Sequence, residues 1–84
     1  MSLVEESLKK LDEKQLKYCK TASVLIDKAR KKGIGIEFER EVERESKKLR
    51  GYLECLADMR ILSKVELKTL YLWFFTGNRL GKEN

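Results

Sequence analysis

Acidic side chains on one predicted helix are the residues of this chain that come closest to a catalytic arrangement. Glu37, Glu41 and Glu45 recur every four residues, and Glu54 and Asp58 repeat the spacing further along. Residues four apart lie on one face of an α-helix. Carboxylates on facing helices of a bundle can hold Mg²⁺, which prefers oxygen ligands. The chemistry would be hydrolysis of a nucleotide pyrophosphate bond.

This arrangement superficially resembles the all-α nucleotide pyrophosphohydrolases, but its spacing departs from theirs. That family carries E-E-x-x-E and E-x-x-D motifs on two helices, whereas here all the acids lie on one helix, interleaved with Arg40 and Arg44. Opposite charges at this spacing are typical of an exposed, ion-paired surface. The chain also has no His, and Cys19 and Cys55 lack the spacing of a zinc or redox site. We therefore predict no enzyme, no cofactor and no metal site.

Basic residues suggest nucleic-acid binding as an alternative function. The 84 residues carry a net charge of +5, and most of the excess lies in the second half of the chain. A helix–turn–helix arrangement would place the helix that begins near residue 64 in the major groove of DNA. That helix has a largely apolar outer face, which is poorly suited to contacting base edges. The residues of this alternative site are Lys47, Lys48, Arg50, Lys64 and Lys68.

Helix-start signals and glycines predict an all-α domain. Ser2 with Glu5, and Ser63 with Glu66, each fit the S-x-x-E capping box. Gly33 and Gly77 lie where helices should end. We predict helices over residues 3–32, 36–60 and 64–76 within a single domain of residues 1–77. Residues 78–84 should form a disordered tail.

Heptad spacing predicts how the first two helices pack. Apolar positions recur at intervals of four and three in both, which is typical of helices that pack along their length. In the first helix, Gln15 is the one polar residue in that stripe. We therefore expect a long, antiparallel helical hairpin with the shorter third helix folded back on its base. The positions are Val4, Leu8, Leu11, Gln15, Tyr18, Ala22, Leu25 and Ala29 in the first helix, and Phe38, Val42, Glu45, Leu49, Tyr52, Leu56 and Met59 in the second.

The third helix carries apolar residues nearly all round, which predicts a second binding surface. Leu67, Leu70 and Phe74 form one stripe, while Val65 and Leu72 lie seven residues apart on nearly the opposite side. Two copies related by a two-fold axis could cover that second stripe and the upper part of the hairpin, which the short third helix leaves uncovered. That upper part contains Ala22, Leu25, Ile26, Ala29, Phe38 and Val42. We expect a homodimer that forms a dimeric helical bundle, or an unidentified protein partner. The predicted interface residues are Val65, Leu72, Trp73, Phe75, Leu25 and Phe38.

The function predicted from these patterns is that of a small, non-enzymatic interaction or regulatory protein. No apolar run approaches the ~20 residues of a membrane span. Two cysteines are too few for a disulfide framework. We therefore predict a cytoplasmic location and no membrane association.

Overall fold

The described part of the chain consists of four α-helices and the turns between them. The structure is a computed structural model that describes residues 2–32 and 36–77, without the side chains of residues 36–38. No strand occurs within these ranges, which confirms the predicted all-α class. The predicted tail, residues 78–84, lies outside the described residues. The helices are α1 (Leu3–Lys9), α2 (Glu13–Lys31), α3 (Ile36–Asp58) and α4 (Lys64–Phe75).

The prediction of one continuous first helix over residues 3–32 is wrong, because the helix is interrupted between α1 and α2. Asp12 is the N-cap of α2: its Oδ1 accepts from the Gln15 N–H at 2.7 Å, and the Asp12 N–H donates to Gln15 Oε1 at 2.9 Å. This reciprocal pair is a capping box built from Asp and Gln. Gln15 is therefore part of a helix start rather than of a continuous apolar stripe.

The break also changes which face of α2 is buried. Cys19, Ala22, Ile26 and Ala29 are buried, whereas Tyr18 and Leu25, both predicted in the stripe, are exposed. A helix restarted at Asp12 takes a new orientation, so the α1 stripe does not continue into α2. In α3, Leu49, Leu53 and Leu56 are fully or nearly fully buried. The predicted position Met59 follows the end of α3 and is exposed.

Helix α4 is the central element, packed against each of the other three helices. Its start matches the prediction, because Ser63 Oγ accepts from the Glu66 N–H at 3.1 Å and the Ser63 N–H donates to the Glu66 carboxylate at 2.8 Å. Leu70 and Phe74 have no exposed surface. All four helices contribute to one core, which contains Leu8, Leu11, Cys19, Ala22, Ile26, Leu49, Leu53, Leu56, Leu62, Leu70 and Phe74.

The carboxyl end of α4 is attached to α2. The buried Ser23 Oγ donates to the Phe74 carbonyl at 2.5 Å, and the Arg30 guanidinium donates to the Phe75 carbonyl. Gly77 follows with φ 89°, as predicted for the residue that ends this helix. Because α4 covers this part of α2, Ala22, Ile26 and Ala29 are buried within the chain. Our prediction that they would lie in an uncovered upper half is wrong.

The shape differs from the predicted elongated hairpin. The radius of gyration is 12.8 Å and the principal extents are 37 × 30 × 20 Å. A continuous helix over residues 3–32 would be ~45 Å long. The 19 residues of α2 span only about 28 Å. Helices α2 and α3 lie side by side, with Tyr18 stacked on Tyr52 at 4.1 Å between ring centroids and Lys32 Nζ 3.2 Å from a Glu41 oxygen.

The turn from α3 to α4 closes through a Schellman motif. The Ile61 N–H donates to the Leu56 carbonyl at 2.9 Å, and the Arg60 N–H donates to the Ala57 carbonyl at 3.0 Å. Arg60 adopts the left-handed conformation, with φ 64°, at the position where glycine is preferred. The turn is short, so α3 and α4 lie adjacent and antiparallel.

Candidate interaction surface

The outer face of α4 carries two exposed apolar side chains. Val65 is 61% exposed and Leu72 is 59% exposed, two turns apart on the same side of the helix. Burial of the opposite stripe, Leu70 and Phe74, fixes the orientation of α4 and so presents Val65 and Leu72 to solvent. Leucines scattered singly on a surface are ordinary. Val65 and Leu72 differ from such single residues because they lie together on one side of α4, the helix that packs against all of the other three.

The structure does not bring all six predicted interface residues together. Trp73 and Phe75 are half-buried against the core of the same chain. Leu25 is exposed on α2, but Ser23, two residues earlier, contacts α4. Two residues correspond to about 200° around a helix, so Leu25 points away from α4. The side chain of Phe38 lies outside the described residues. The candidate surface therefore reduces to Val65 and Leu72.

A groove of about 550 Å³ lies between α3 and α4 and extends this surface. Leu72 lines it, so the exposed face of α4 continues into the groove. Arg50 Cζ lies 6.0 Å from the Tyr71 ring centroid near one end, while Asp58 and Lys64 lie together near the α3–α4 turn. We call it the α3–α4 groove, and it is lined by Arg50, Glu54, Ala57, Asp58, Lys64, Leu67, Lys68, Tyr71 and Leu72.

Opposite charges line the two sides of the groove. On the α3 side are Glu54 and Asp58, the acidic pair; on the α4 side are Lys64 and Lys68, the basic pair. Glu54 Oε2 lies 3.5 Å from Nε of Arg50, which is on its own helix. Among the described residues, no ion pair within 4 Å joins the acidic pair to the basic pair. The groove keeps the two sets of charges apart.

The five residues of the nucleic-acid alternative fall into two groups. Arg50, Lys64 and Lys68 line the α3–α4 groove. Lys47 and Lys48 lie on the exposed side of α3, where Lys47 pairs with Glu43 at 3.5 Å and Lys48 with Glu45 at 3.8 Å. Each of these two cations therefore has an acid beside it, which lowers the positive potential there.

Arginines cover the aromatic side of α4. Tyr71 and Phe75 stack with ring centroids 5.6 Å apart, and Arg30 Cζ lies 4.5 Å from the Phe75 ring centroid. A guanidinium over a ring face gives a cation–π contact. Because arginines lie over these rings, Tyr71 and Phe75 belong more to the fold than to a free surface.

Three of the five carboxylates considered for Mg²⁺ are in ion pairs, Glu54 among them. Glu41 pairs with Lys32, and Glu45 Oε2 lies 3.6 Å from Arg44 Nε. Within residues 2–32 and 36–77, no group of three or more acidic or Cys side chains is placed to hold a metal ion. The side chain of Glu37 lies outside the described residues. The described residues therefore do not assemble the metal site that pyrophosphohydrolase chemistry would need.

The acidic pair was missing from our predicted interface, although the sequence contains a signal for it. Asp58 and Glu54 lie three and seven residues before Ile61. Lys64 and Lys68 lie three and seven residues after it. A short turn at Ile61 places positions equally far from it side by side on antiparallel helices. The matched spacing therefore predicts two charged walls that face each other across a helix pair.

Comparison with known proteins gives no match to a family model, to a curated protein or to a solved structure. Across the part of the chain that the structure describes, no helix combines the length and apolar character needed to cross a bilayer. The outer face of α4 and the α3–α4 groove are therefore the features of this chain from which a function can be inferred.

Proposed function

We propose that this chain is a small, non-enzymatic interaction protein that binds through the outer face of α4 and assembles as a homodimer. The observation that carries the proposal is the exposure of Val65 and Leu72 on the central helix. Burying two such side chains would remove apolar surface from water, at about 25 cal/mol per Å². The adjoining groove supplies further apolar surface through Leu67 and Ala57.

A two-fold arrangement suits this surface because each copy offers the same patch to the other. The fully buried centre of an interface is typically apolar and is surrounded by polar residues. Leu72 next to the charged sides of the groove has this pattern. Shape and charge together therefore favour a protein surface as the occupant.

Light scattering behind a sizing column tests the proposal. We expect a dimer mass, twice 9.9 kDa, for the unchanged chain at 50 μM. Leu72→Glu should give a monomer, because the dimer would bury a charge without a partner. Leu25→Glu is the matched control: it makes the same substitution at an exposed leucine on α2, pointing away from α4, and should leave the dimer intact.

Circular dichroism of both variants shows whether they keep the helical fold. Two results would contradict the proposal: a monomer mass for the unchanged chain, or equal dissociation by the two substitutions.

The nucleic-acid alternative makes a different prediction. Duplex DNA bound through Arg50, Lys64 and Lys68 would dissociate steeply between 50 and 200 mM salt. Glu54 and Asp58 line the same groove and would repel phosphate. We expect no shift of duplex DNA in a gel at micromolar protein.

A further inference from the structure

We infer that the α3–α4 groove is the dimer interface and that its occupant is the same groove of a second copy, joined by reciprocal ion pairs. Each acidic pair, Glu54 and Asp58, would contact the basic pair, Lys64 and Lys68, of the other copy. This rests on the proposed function and specifies the geometry of that assembly.

The positions of the charges along the groove determine the relation between the copies. Asp58 and Lys64 lie together near the α3–α4 turn. Glu54 and Lys68 are each four residues, or one helical turn, further from it. A two-fold axis parallel to the groove places α3 of one copy over α4 of the other at the same level. Asp58 of one copy then contacts Lys64 of the other, and Glu54 contacts Lys68. Because the axis is two-fold, each ion pair occurs twice in the dimer.

The other face-to-face arrangement is disfavoured by the same charges. A two-fold axis across the groove would place α3 over α3 and α4 over α4. The acidic pair of one copy would then face the acidic pair of the other, and the basic pair would face the basic pair. Like charges brought together across an interface repel and suppress that pairing. Of these two arrangements, the parallel axis is the one that matches every acid of the acidic pair to a lysine of the basic pair.

A second copy fits the groove better than a polyanion does. Each copy carries +5, so most approaches between copies are repulsive. In the groove, Asp58 has no ion pair among the described residues, and Glu54 pairs only with the exposed Arg50 of its own helix, so both acids are open to the lysines of the other copy. Among the described residues, neither Lys64 nor Lys68 has an ion pair within its own chain. A nucleic acid would leave Glu54 and Asp58 beside phosphates.

Charge-reversal variants of the full chain test the pairing. Lys64→Glu with Lys68→Glu makes the groove acidic, and Glu54→Lys with Asp58→Lys makes it basic. Each variant alone should be monomeric at a concentration where the unchanged chain is dimeric. An equimolar mixture should form a one-to-one heterodimer, seen by native mass spectrometry. Lys14→Glu with Lys28→Glu makes the same charge change on the exposed surface of α2 and should leave the dimer intact.

A milder pair of variants keeps the test decisive if a double reversal unfolds the chain in circular dichroism. Lys68→Gln and Glu54→Gln should each raise the dimer dissociation constant by roughly tenfold, since each substitution acts twice in a symmetric dimer. The dissociation constant of the unchanged dimer should also rise with salt, whereas these variants should respond less.

Three results would overturn the inference, and they are distinguishable. If both charge-reversal variants remain homodimers while the Leu72→Glu variant is monomeric, the ion pairing is wrong and the proposed function stands. If the unchanged chain is monomeric at 50 μM, both fail. If that monomer binds DNA and loses the binding in Lys64→Glu with Lys68→Glu, the groove is a nucleic-acid site.

Discussion

The Nζ atom of Lys10 lies 2.6 Å from Oε2 of Glu66 and thereby joins the end of α1 to the first turn of α4. Glu66 is 7% exposed, and its carboxylate also accepts from the Ser63 N–H. One ionised group therefore closes the N-cap of α4 and attaches α1 to it. A carboxylate near a helix N-terminus also interacts favourably with the helix dipole.

Stability should therefore fall in acid through Glu66. The Lys10 ammonium and the Ser63 N–H lower the pKa of Glu66 below its ordinary value of 4.5. A lowered pKa in the folded state means that this stability is complete above about pH 4.5 and is lost as the pH falls through the folded-state pKa. Urea titrations of Glu66→Gln between pH 7 and pH 3 should show a smaller loss than the unchanged chain. Glu13→Gln, which replaces an exposed acid in the first turn of α2, should keep the full acid dependence.

The cap of α2 should be needed for stability. Asp12→Ala removes the acceptor for the Gln15 N–H and should cost about 1 kcal/mol in the free energy of unfolding. Lys14→Ala, at an exposed position of the same turn that takes no part in the capping box, should be nearly neutral in the same urea titration. Equal costs would show that the break at Asp12 is not held by its capping box.

Two of the buried serines, Ser23 and Ser7, should respond differently to the same substitution. Ser23→Ala removes the hydrogen bond from α2 to the Phe74 carbonyl, which still accepts from the Gly77 N–H at 3.2 Å, and should cost about 0.5–1.5 kcal/mol. Ser7 Oγ donates at 2.7 Å to the Leu3 carbonyl, one turn earlier in its own helix. That local bond adds little, so Ser7→Ala should change stability by less than about 0.5 kcal/mol. Thermal unfolding followed by circular dichroism measures both.

Arg60 should be a site where glycine stabilises the fold. A non-glycine residue in the left-handed conformation destabilises the fold by roughly 1–2 kcal/mol. Replacing it with glycine removes this strain, but part of the gain is lost because glycine also raises the conformational entropy of the unfolded chain. Arg60→Gly should therefore raise the free energy of unfolding by about 0.5–1 kcal/mol. Gly77→Ala, at φ 89°, is the reverse experiment and should lower it. A loss on Arg60→Gly would mean that the arginine side chain makes a stabilising contact.

The two cysteines should differ in reactivity. Both are free; Cys55 is exposed, while Cys19 is fully buried and its burial raises the pKa of its thiol to about 12. The thiolate is the reactive form. An aromatic disulfide reagent at pH 8 should therefore modify one thiol rapidly and the second only on unfolding. Cys55→Ser should abolish the rapid phase, and Cys19→Ser should leave it unchanged.

The sequence predicted α4 well because its signals are local. Ser63 with Glu66 marks the start, and Gly77 marks the end. The break at Asp12 was missed because two local patterns compete there. The four-three spacing of apolar residues continues across Gln15, whereas Asp12 with Gln15 forms a capping box. The box prevails, and it shifts the buried face of α2 from Tyr18 and Leu25 to Cys19 and Ile26.

The position of α4 could not be read from any single segment. Its contact with α2 depends on Ser23 meeting the Phe74 carbonyl, and its contact with α1 depends on Lys10 meeting Glu66. Neither pair has a periodic signature. The exposure of Val65 and Leu72 was predictable because a helix with two apolar stripes cannot bury both against one small core.

The bond from Ser23 to Phe74 joins residues 51 positions apart, which has consequences for how the chain folds as it is synthesised. A ribosome releases α1, α2 and α3 before α4, so Ile26 and Leu53 at first lack the helix that helps to cover them. Contacts between residues distant in sequence form late, because the intervening chain must first be ordered. Apolar surface left open in the meantime is prone to aggregation. Release of α4 should therefore be the step at which the nascent chain covers its core and loses its tendency to aggregate.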